Sequence, residues 1–250
     1  MGYFNIELKP TLTGANCVTA FGNGDLIADW ELKTVPTKQA FKVLGVSYVE
    51  RGTEGVAQGS TYQLLFASPD SDGTVPPSLG TVNATIDGTG FFKHLVGRYD
   101  VEAAADQIDT VTVYTQNSTD GNSKDCLVIE PSRTVNTSGS VDFDGHNVNG
   151  KICIGIASIT GAPDFGTGVL TTGVVGTSTS AVDITVDGVD ARKALAVGDV
   201  INAQDGAVVG TVTSIPDDTS VVVDAVAGAL ANNDELCNVN PVTFIIHCEY

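Results

Sequence analysis

The sequence is short of the side chains that carry out most enzymatic chemistry. Of its 250 residues three are histidine, one is tryptophan, one is methionine and twelve are lysine or arginine. His94, His146 and His247 lie far apart, and no GxSxG stretch places a serine on a strained strand-to-helix turn, so a Ser-His-Asp system has no local support. The five cysteines, Cys17, Cys126, Cys153, Cys237 and Cys248, include no CxxC pair, which excludes the zinc-ribbon and thioredoxin-type spacings. With Trp30 as the one tryptophan, a sugar hydrolase would lack the aromatic platforms that usually flank its two carboxylates.

Positive charge is scarce too. Thirty acidic residues against twelve basic ones give a formal net charge of −18. Binding to nucleic acid depends on Lys and Arg displacing counterions, and here Arg51, Arg98, Arg133 and Arg192 are scattered singly, so no DNA, RNA or anionic membrane partner is expected. The simplest role for the acidity is to keep the protein soluble. No run approaches the roughly 18 apolar residues of a membrane span. The opening "MGYFNIELKP" has no basic region followed by an apolar one, and Ile6 stands where a myristoylation pattern needs Ser or Thr. The chain is therefore expected to begin as mature protein and to keep its cysteines as buried free thiols in a reducing cytosol. The sequons at Asn83, Asn117 and Asn136 would matter only in a secretory compartment.

What the sequence has in quantity is strand and turn. "FKVLGVSYVE", "TYQLLFA", "TVNATI", "IDTVTVYTQ", "CLVIE", "KICIGIASI", "AVDITVD", "VVGTVTSI", "TSVVVD" and "VTFIIHCEY" are short, rich in Val, Ile, Thr or aromatics, and bounded by Gly, Asp, Asn or Pro. The predicted class is all-β. Residues 89–107 are the best candidate for a helical turn or two, weakened by Gly97. A chain of this length buries roughly 70 to 75% of its unfolded surface, enough for one large or two modest cores without a disulfide or metal.

Composition shifts near residue 165. From Gly166 to about Asn240 the sequence is Val, Ala, Asp, Gly and Thr with hardly an aromatic ring. Within it "ITVDGVDARKALAVGDVI" and "VVVDAVAGALANNDEL" both run strand, Asp, short connection, Ala-Leu-Ala, two residues, Asp, strand. Each copy reads as a strand, a tight helical or 3-10 turn whose Leu195 or Leu230 plugs the end of a core, and a strand leaving after Asp199 or Asp234. Asp205-Gly206 suggests a type I′ turn and Asp217-Asp218 closes the next hairpin, giving about five short strands on a small barrel. The alternation of "VTFIIHCEY" returns to the style of the first part, and its natural partner is "KICIGIASI". The expected architecture is a discontinuous β-sandwich-like domain, residues 1–165 plus 241–250, with an inserted barrel, residues 166–240, that projects from it.

The succession "VGDVI", "DG", "VVGTVTSI", "DTSVVVD", "ALANND" and "VNP", over roughly residues 182–241, resembles modules of virion structural proteins of tailed bacteriophages, especially those of marine bacteria. "GVSYVERGTEGVAQGSTYQLLFA" and "GTVNATIDGTGFFKHLVGRYDV" resemble phage head or tail proteins in style. The resemblance implies a non-enzymatic accessory component of a particle: a capsid decoration or cement protein on the head exterior, assembled in the host cytoplasm. Its partners would be the major capsid protein or other virion proteins and sister chains, most plausibly in a trimer. A tail or fibre component that binds a host receptor or glycan, through loops such as residues 68–80 or 116–125, is the alternative.

No cofactor is implied. For metal, "VDFDGHNVNG" offers Asp142, Asp144, Asn147 and Asn149 as hard oxygen ligands for calcium, but it lacks the remaining positions and the bidentate Glu of an EF-hand loop. Turn formation is the better explanation of such Asp-Gly segments. Cys153, inside the apolar "ICIGI", reads as core, and the neighbours His247 and Cys248 face opposite sides of a strand.

Overall fold

A computed structural model describes residues 2–36, 39–70, 74–87, 90–101, 106–108, 111–117, 128–129, 131 and 150–250. Along the first part of the chain run β1 (Tyr3–Leu8), β2 (Leu26–Val35), β3 (Phe41–Arg51), β4 (Thr61–Ala67), β5 (Leu95–Val101), β6 (Asp106–Ile108), β7 (Val111–Asn117), β8 (Val128–Ile129) and β9 (Gly150–Thr160). There follow β10 (Val169–Thr171), β11 (Val182–Gly188), the one-turn helix α1 (Ala191–Ala194), β12 (Val200–Ala203), β13 (Val208–Asp217), β14 (Ser220–Val223), β15 (Leu236–Asn238) and β16 (Val242–Glu249). The class is all-β, with curled sheets, as the strand patterns indicate.

The strands form three sheets, ordered β1-β16-β3-β7-β6 with β8 also on β3, then β2-β9-β4-β5, then β10-β11-β14-β13-β12-β15. The expected pairing of β16 with β9 does not occur: β16 lies between β1 and β3, whereas β9 lies between β2 and β4 in the second sheet. The burial patterns give the reason. β16 alternates, hiding Val242, Phe244, Ile246 and Cys248 and leaving Thr243, Ile245, His247 and Glu249 half-covered, as suits a layer with one face outward. β9 is buried along nearly its whole length. Its Ile152, Ile154 and Ile156 join the main core with Tyr62, Phe66, Tyr48 and Phe244. Its opposite face carries Cys153 into a second cluster with Trp30, Leu65, Leu79 and Phe91.

Gly155 shows how closely that second cluster sits. A Cβ at this position would overlap Leu79 Cδ1 and lie 3.3 Å from Trp30 Cε3. Trp30 is fixed in turn by an Nε1–H bond to the Pro77 carbonyl (2.9 Å), and Asp29 Oδ1 accepts from the main chain of Leu79 (2.9 Å).

One sequence expectation fails within this part, and another is met by a single short turn. "TVNATI" is not a strand, because Gly80 (φ 130°) and Asn83 (φ 60°) turn the chain so that Asn83 and Ala84 both bond Leu26. Within residues 89–107 the described residues hold one helical turn, the 3-10 turn Phe92–His94, before β5 pairs with β4 in the second sheet.

The third sheet curls until its outer strands meet at a bridge between Leu170 and Glu235, leaving a nearly closed six-stranded barrel. Its connectivity is two-fold: exchanging β10 with β13, β11 with β14 and β12 with β15 reproduces every pairing. The internal echo in the sequence is the source of this symmetry. Both leucines of the echo, Leu195 and Leu230, are buried in the barrel core with Ile184, Ile201, Val221 and Leu236. Only the first copy forms a helix, capped by Asp190, whose carboxylate accepts from Arg192 N–H (3.0 Å). The Asp205-Gly206 corner is not type I′: Gly206 alone has positive φ (93°), and its N–H bonds the Ala203 carbonyl (2.9 Å). Asp205 keeps negative φ because its carboxylate accepts from Ala207 N–H (2.8 Å), a turn in its own right.

Candidate functional site

Both ends of the barrel segment reach the end of β3. Arg51 N–H bonds the Pro241 carbonyl (2.8 Å) and Glu54 N–H bonds the Gly166 carbonyl (2.8 Å). The Arg51 guanidinium then reaches Asp199, on the turn before β12, at 3.1 Å. Gly55 and Gly168 sit where a Cβ would press on Lys193 and Val189, so the hairpin after β3 and the α1 region are in van der Waals contact. Beside this junction a cleft of about 280 Å³ is lined by Lys9, Arg51, Asp199, Asn238, Asn240 and Thr243, among others. Its cations are already paired, Arg51 with Asp199 and Lys9 with Glu7 at 2.7 Å. A second groove, of about 410 Å³, is lined by Ala40, Lys42, Val128, Glu249 and Tyr250, where the chain ends meet through Gly2 and Tyr250.

The clearest titratable cluster lies away from both clefts. Glu50, on β3, is wholly buried; its Oε1 accepts from Tyr62 Oη–H (2.5 Å) and Ser60 Oγ–H (2.8 Å), while Oε2 has no hydrogen-bond partner. Burial pushes its carboxyl up to about 7 against the pull of those donors. Tyr62 is pushed well above its usual value, by burial first and by the Glu50 charge next. Such a carboxyl in an open cleft would be an acid–base candidate, but Glu50, Ser60 and Tyr62 are fully covered, and Tyr48 and Phe244 both pack edge-on with the Tyr62 ring, at 5.4 and 5.1 Å. Sequence reading passed over Glu50. The available signal was its phase, since it follows Val46 and Tyr48 on the inward side of β3.

The residues singled out in the sequence are dispersed. His247 is bonded to Ser47 Oγ (2.9 Å) and Asn5 Oδ1 (3.1 Å) on the outer face of the first sheet, while Cys248 points into the core. His94 ends the 3-10 turn before β5, with its main-chain oxygen accepting from Ser68 N–H (2.8 Å). Cys153 is buried, and burial raises its thiol to about 11. Asp142, Asp144, Asn147 and Asn149, with His146, Cys126 and Arg133, lie outside the described residues, as does most of the 116–125 loop. Among the described residues, no three His, Cys, Asp or Glu side chains gather as metal ligands would. Nor is any helix there long and apolar enough to cross a membrane.

Many aspartates instead close turns. Asp25, Asp164, Asp190, Asp205 and Asp217 each accept from a main-chain N–H two or three residues away at 2.7–3.0 Å, and Asp224 accepts across the sheet from Thr211 N–H at 2.7 Å. Much of the acidity is thus spent on local main-chain geometry rather than gathered in one place.

Neither a protein family nor a curated protein matches the chain. Among solved structures, 99% of the chain aligns with 41% of the VP2 chain of the infectious bursal disease virus subviral particle, at 9% identity and a TM-score of 0.17. Likewise 98% aligns with 61% of PNGF-II, at 10% identity and a TM-score of 0.21. The chain spans less than two-thirds of either protein, and likenesses this slight carry no argument about its fold or role.

Proposed function

We propose that the protein is a non-enzymatic structural component of a tailed-phage particle, a decoration or cement protein on the head exterior that works through contact surface. The observation that carries this reading is the deployment of its polar side chains. Carboxylates such as Asp205 and Asp217 close turns, Arg51 ties β3 to the barrel, and Cys153 and Cys248 fill cores. The strand-and-turn likeness of residues 182–241 to phage virion modules points the same way. An acidic exterior component also does not compete for packaged DNA.

Two measurements test the reading. Light scattering of the purified protein is expected to give a trimer of the 25.8 kDa chain. Co-sedimentation with shells of the capsid protein encoded beside it is expected to carry it into the pellet at fixed stoichiometry. Failure to join shells, together with binding to host cells or glycans, would replace this reading with a tail or fibre role. Steady turnover of any substrate, lost on replacing one polar side chain, would overturn both. Burial of Trp30 weighs against the glycan alternative, since its ring is turned inward and packs edge-on with Phe91 at 5.7 Å.

A further inference from the structure

We propose that Ser47, His247 and Asn5 form an acylation site, at which the Ser47 hydroxyl takes up a single acyl group from a neutral activated ester. The three residues come from three neighbouring strands of the first sheet, β3, β16 and β1. Strand alternation sends Val46 and Tyr48, Ile246 and Cys248, and Ile6 into the main core, so Ser47, His247 and Asn5 share the outer face. Directly across from His247 stand Asn5 on one side and Gly45 on the other. With no side chain at Gly45, the imidazole is free to lean towards Ser47, its diagonal neighbour on β3. The result is a connected row, with Ser47 Oγ 2.9 Å from His247 Nε2 and His247 Nδ1 3.1 Å from Asn5 Oδ1.

The Asn5 oxygen can only accept, so Nδ1 carries the ring proton and Nε2 is left to accept from the Ser47 hydroxyl. A nucleophile, its base and the group that orients the base need this order of contacts, each within hydrogen-bond reach. His247 is the general base, and Asn5 is a positioning residue that acts through it. Ser47 and His247 are half-buried and Asn5 is exposed, so a reagent reaches the row from outside. Ile245, across from Ser47, and Val49, 44% exposed on the same face, offer apolar contact to an acyl chain. Glu7, across from Ile245, and Glu249, two residues beyond His247, disfavour anionic donors.

The donor is an aryl ester or another neutral ester with a good leaving group. Ser47 Oγ attacks its carbonyl carbon while His247 Nε2 takes the hydroxyl proton. The bond from that carbon to the aryl oxygen then breaks, the leaving aryloxide takes up the proton from the imidazolium, and the acyl group stays on Ser47 as an ester. Ser47 pairs with Ile245 on one side and Thr115 on the other, so the main-chain N–H groups beside it are spent in the ladders rather than aimed at an oxyanion. Each oxyanion donor is worth about 10²–10³ in rate, and the seryl ester, with its poor leaving group, depends on such donors far more than the aryl ester does. One acyl group is therefore taken and kept. Such single acylation is independent of a role in a particle and compatible with one.

The test is incubation of the full chain with p-nitrophenyl acetate, read by nitrophenol release, intact mass and a peptide map. The expected result is one acetyl group on Ser47 and a burst of about one equivalent of nitrophenol per chain, with no sustained release after it. Ser47→Ala should remove the burst, and His247→Gln should slow it about 10²-fold or more. Asn5→Ala should lose most of the rate and Asn5→Asp, which keeps an acceptor for Nδ1–H, should recover it, a pattern that a purely structural role would not produce. Should a variant fail to fold, the peptide map of the unmodified chain still decides. Acetyl groups confined to lysines and the N-terminus, labelling of Ser47 no faster than in His247→Gln, or equal rates in Asn5→Ala and the unmodified chain would each overturn the proposal. Sustained release that is lost in Ser47→Ala would overturn it as well, together with the non-enzymatic reading.

Discussion

Asp199 and Asp234 close the same turn in the two halves of the barrel. Asp199 Oδ2 accepts from Ala196 N–H at 2.7 Å and Asp234 Oδ2 accepts from Ala231 N–H at 2.5 Å, each three residues back. The residue before each aspartate is left-handed, Gly198 at φ 95° and Asn233 at φ 65°. Asn is among the few non-glycine residues that occupy this region at low cost, because its side chain bonds locally. The repeated element is therefore a turn with a fixed conformational demand, carried by two different residues.

That equivalence predicts the outcome of substitution at Gly198. A Cβ there meets nothing within 4 Å, so the backbone conformation alone sets the cost. Gly198→Asn, which copies the sister turn, should be nearly neutral, whereas Gly198→Val should cost about 1–2 kcal/mol in urea unfolding. Equal costs for the two variants would mean that the turns are not equivalent.

Glu50 makes stability depend on pH in an unusual direction. Its folded value of about 7 lies above its ordinary 4.5, so between those pH values the folded state holds a proton that the unfolded state has released. Stability from this group is complete below about pH 4.5 and is lost as pH rises towards 7 and beyond, a change on the order of 3 kcal/mol. Glu50→Gln removes the titration and keeps an acceptor for Tyr62 and Ser60. The variant should gain stability relative to the parent chain as pH rises from 4.5 to 8, read from urea midpoints along that series. A difference that does not change with pH would show that the carboxyl is not titrating in this window.

How much of this was legible in the sequence depended on the range of the interaction involved. The alternation of β16, the buried run of β9 and the Ala-Leu-Ala echo are local patterns; the first two became the expected strands, and the echo placed both leucines in the barrel core but gave a helical turn in its first copy only. The partner of β16 was not local. Apolar style matched it to β9, but both strands feed one core from opposite layers, and only the half-covered outer face of β16 separates facing from pairing. Asp205-Gly206 misled because the Asp side chain supplied its own turn, and "TVNATI" because Asn83 took a left-handed conformation inside a sequence of strand-forming composition. Glu50 stayed invisible because a lone acid on the inward phase is recognisable only once Tyr62 and Ser60 are brought to it from β4 and the turn before it.

The pair Arg51–Asp199 should contribute modestly to holding the barrel against β3. Its side chains are 30% and 12% exposed, so solvent screens part of the attraction. Because Asp199 also holds its own turn, a single replacement there overstates the pair. A double-mutant cycle with Arg51→Gln and Asp199→Asn should isolate a coupling of about 0.5–1 kcal/mol that shrinks in high salt. Zero coupling at low salt would mean that Arg51 acts through its main-chain bond to Pro241 alone.

Gly155 should be the least replaceable small residue of β9. Added to its backbone, a methyl group overlaps Leu79 Cδ1 and presses on the Trp30 ring, inside a cluster closed by Phe91. Gly155→Ala should cost about 1–3 kcal/mol, the usual range for overpacking a filled core. Leu79→Ala alone should cost about 2–4 kcal/mol through the space it leaves. The double variant should cost clearly less than the two added together, because the new methyl occupies part of what Leu79 vacates. Trp30, the one tryptophan in the chain, reports the result directly: its emission should shift to the red in Gly155→Ala if the ring is pushed towards solvent, and return towards the parent position in the double variant. Strict additivity with unchanged emission would show that Leu79 is not what excludes a side chain at position 155.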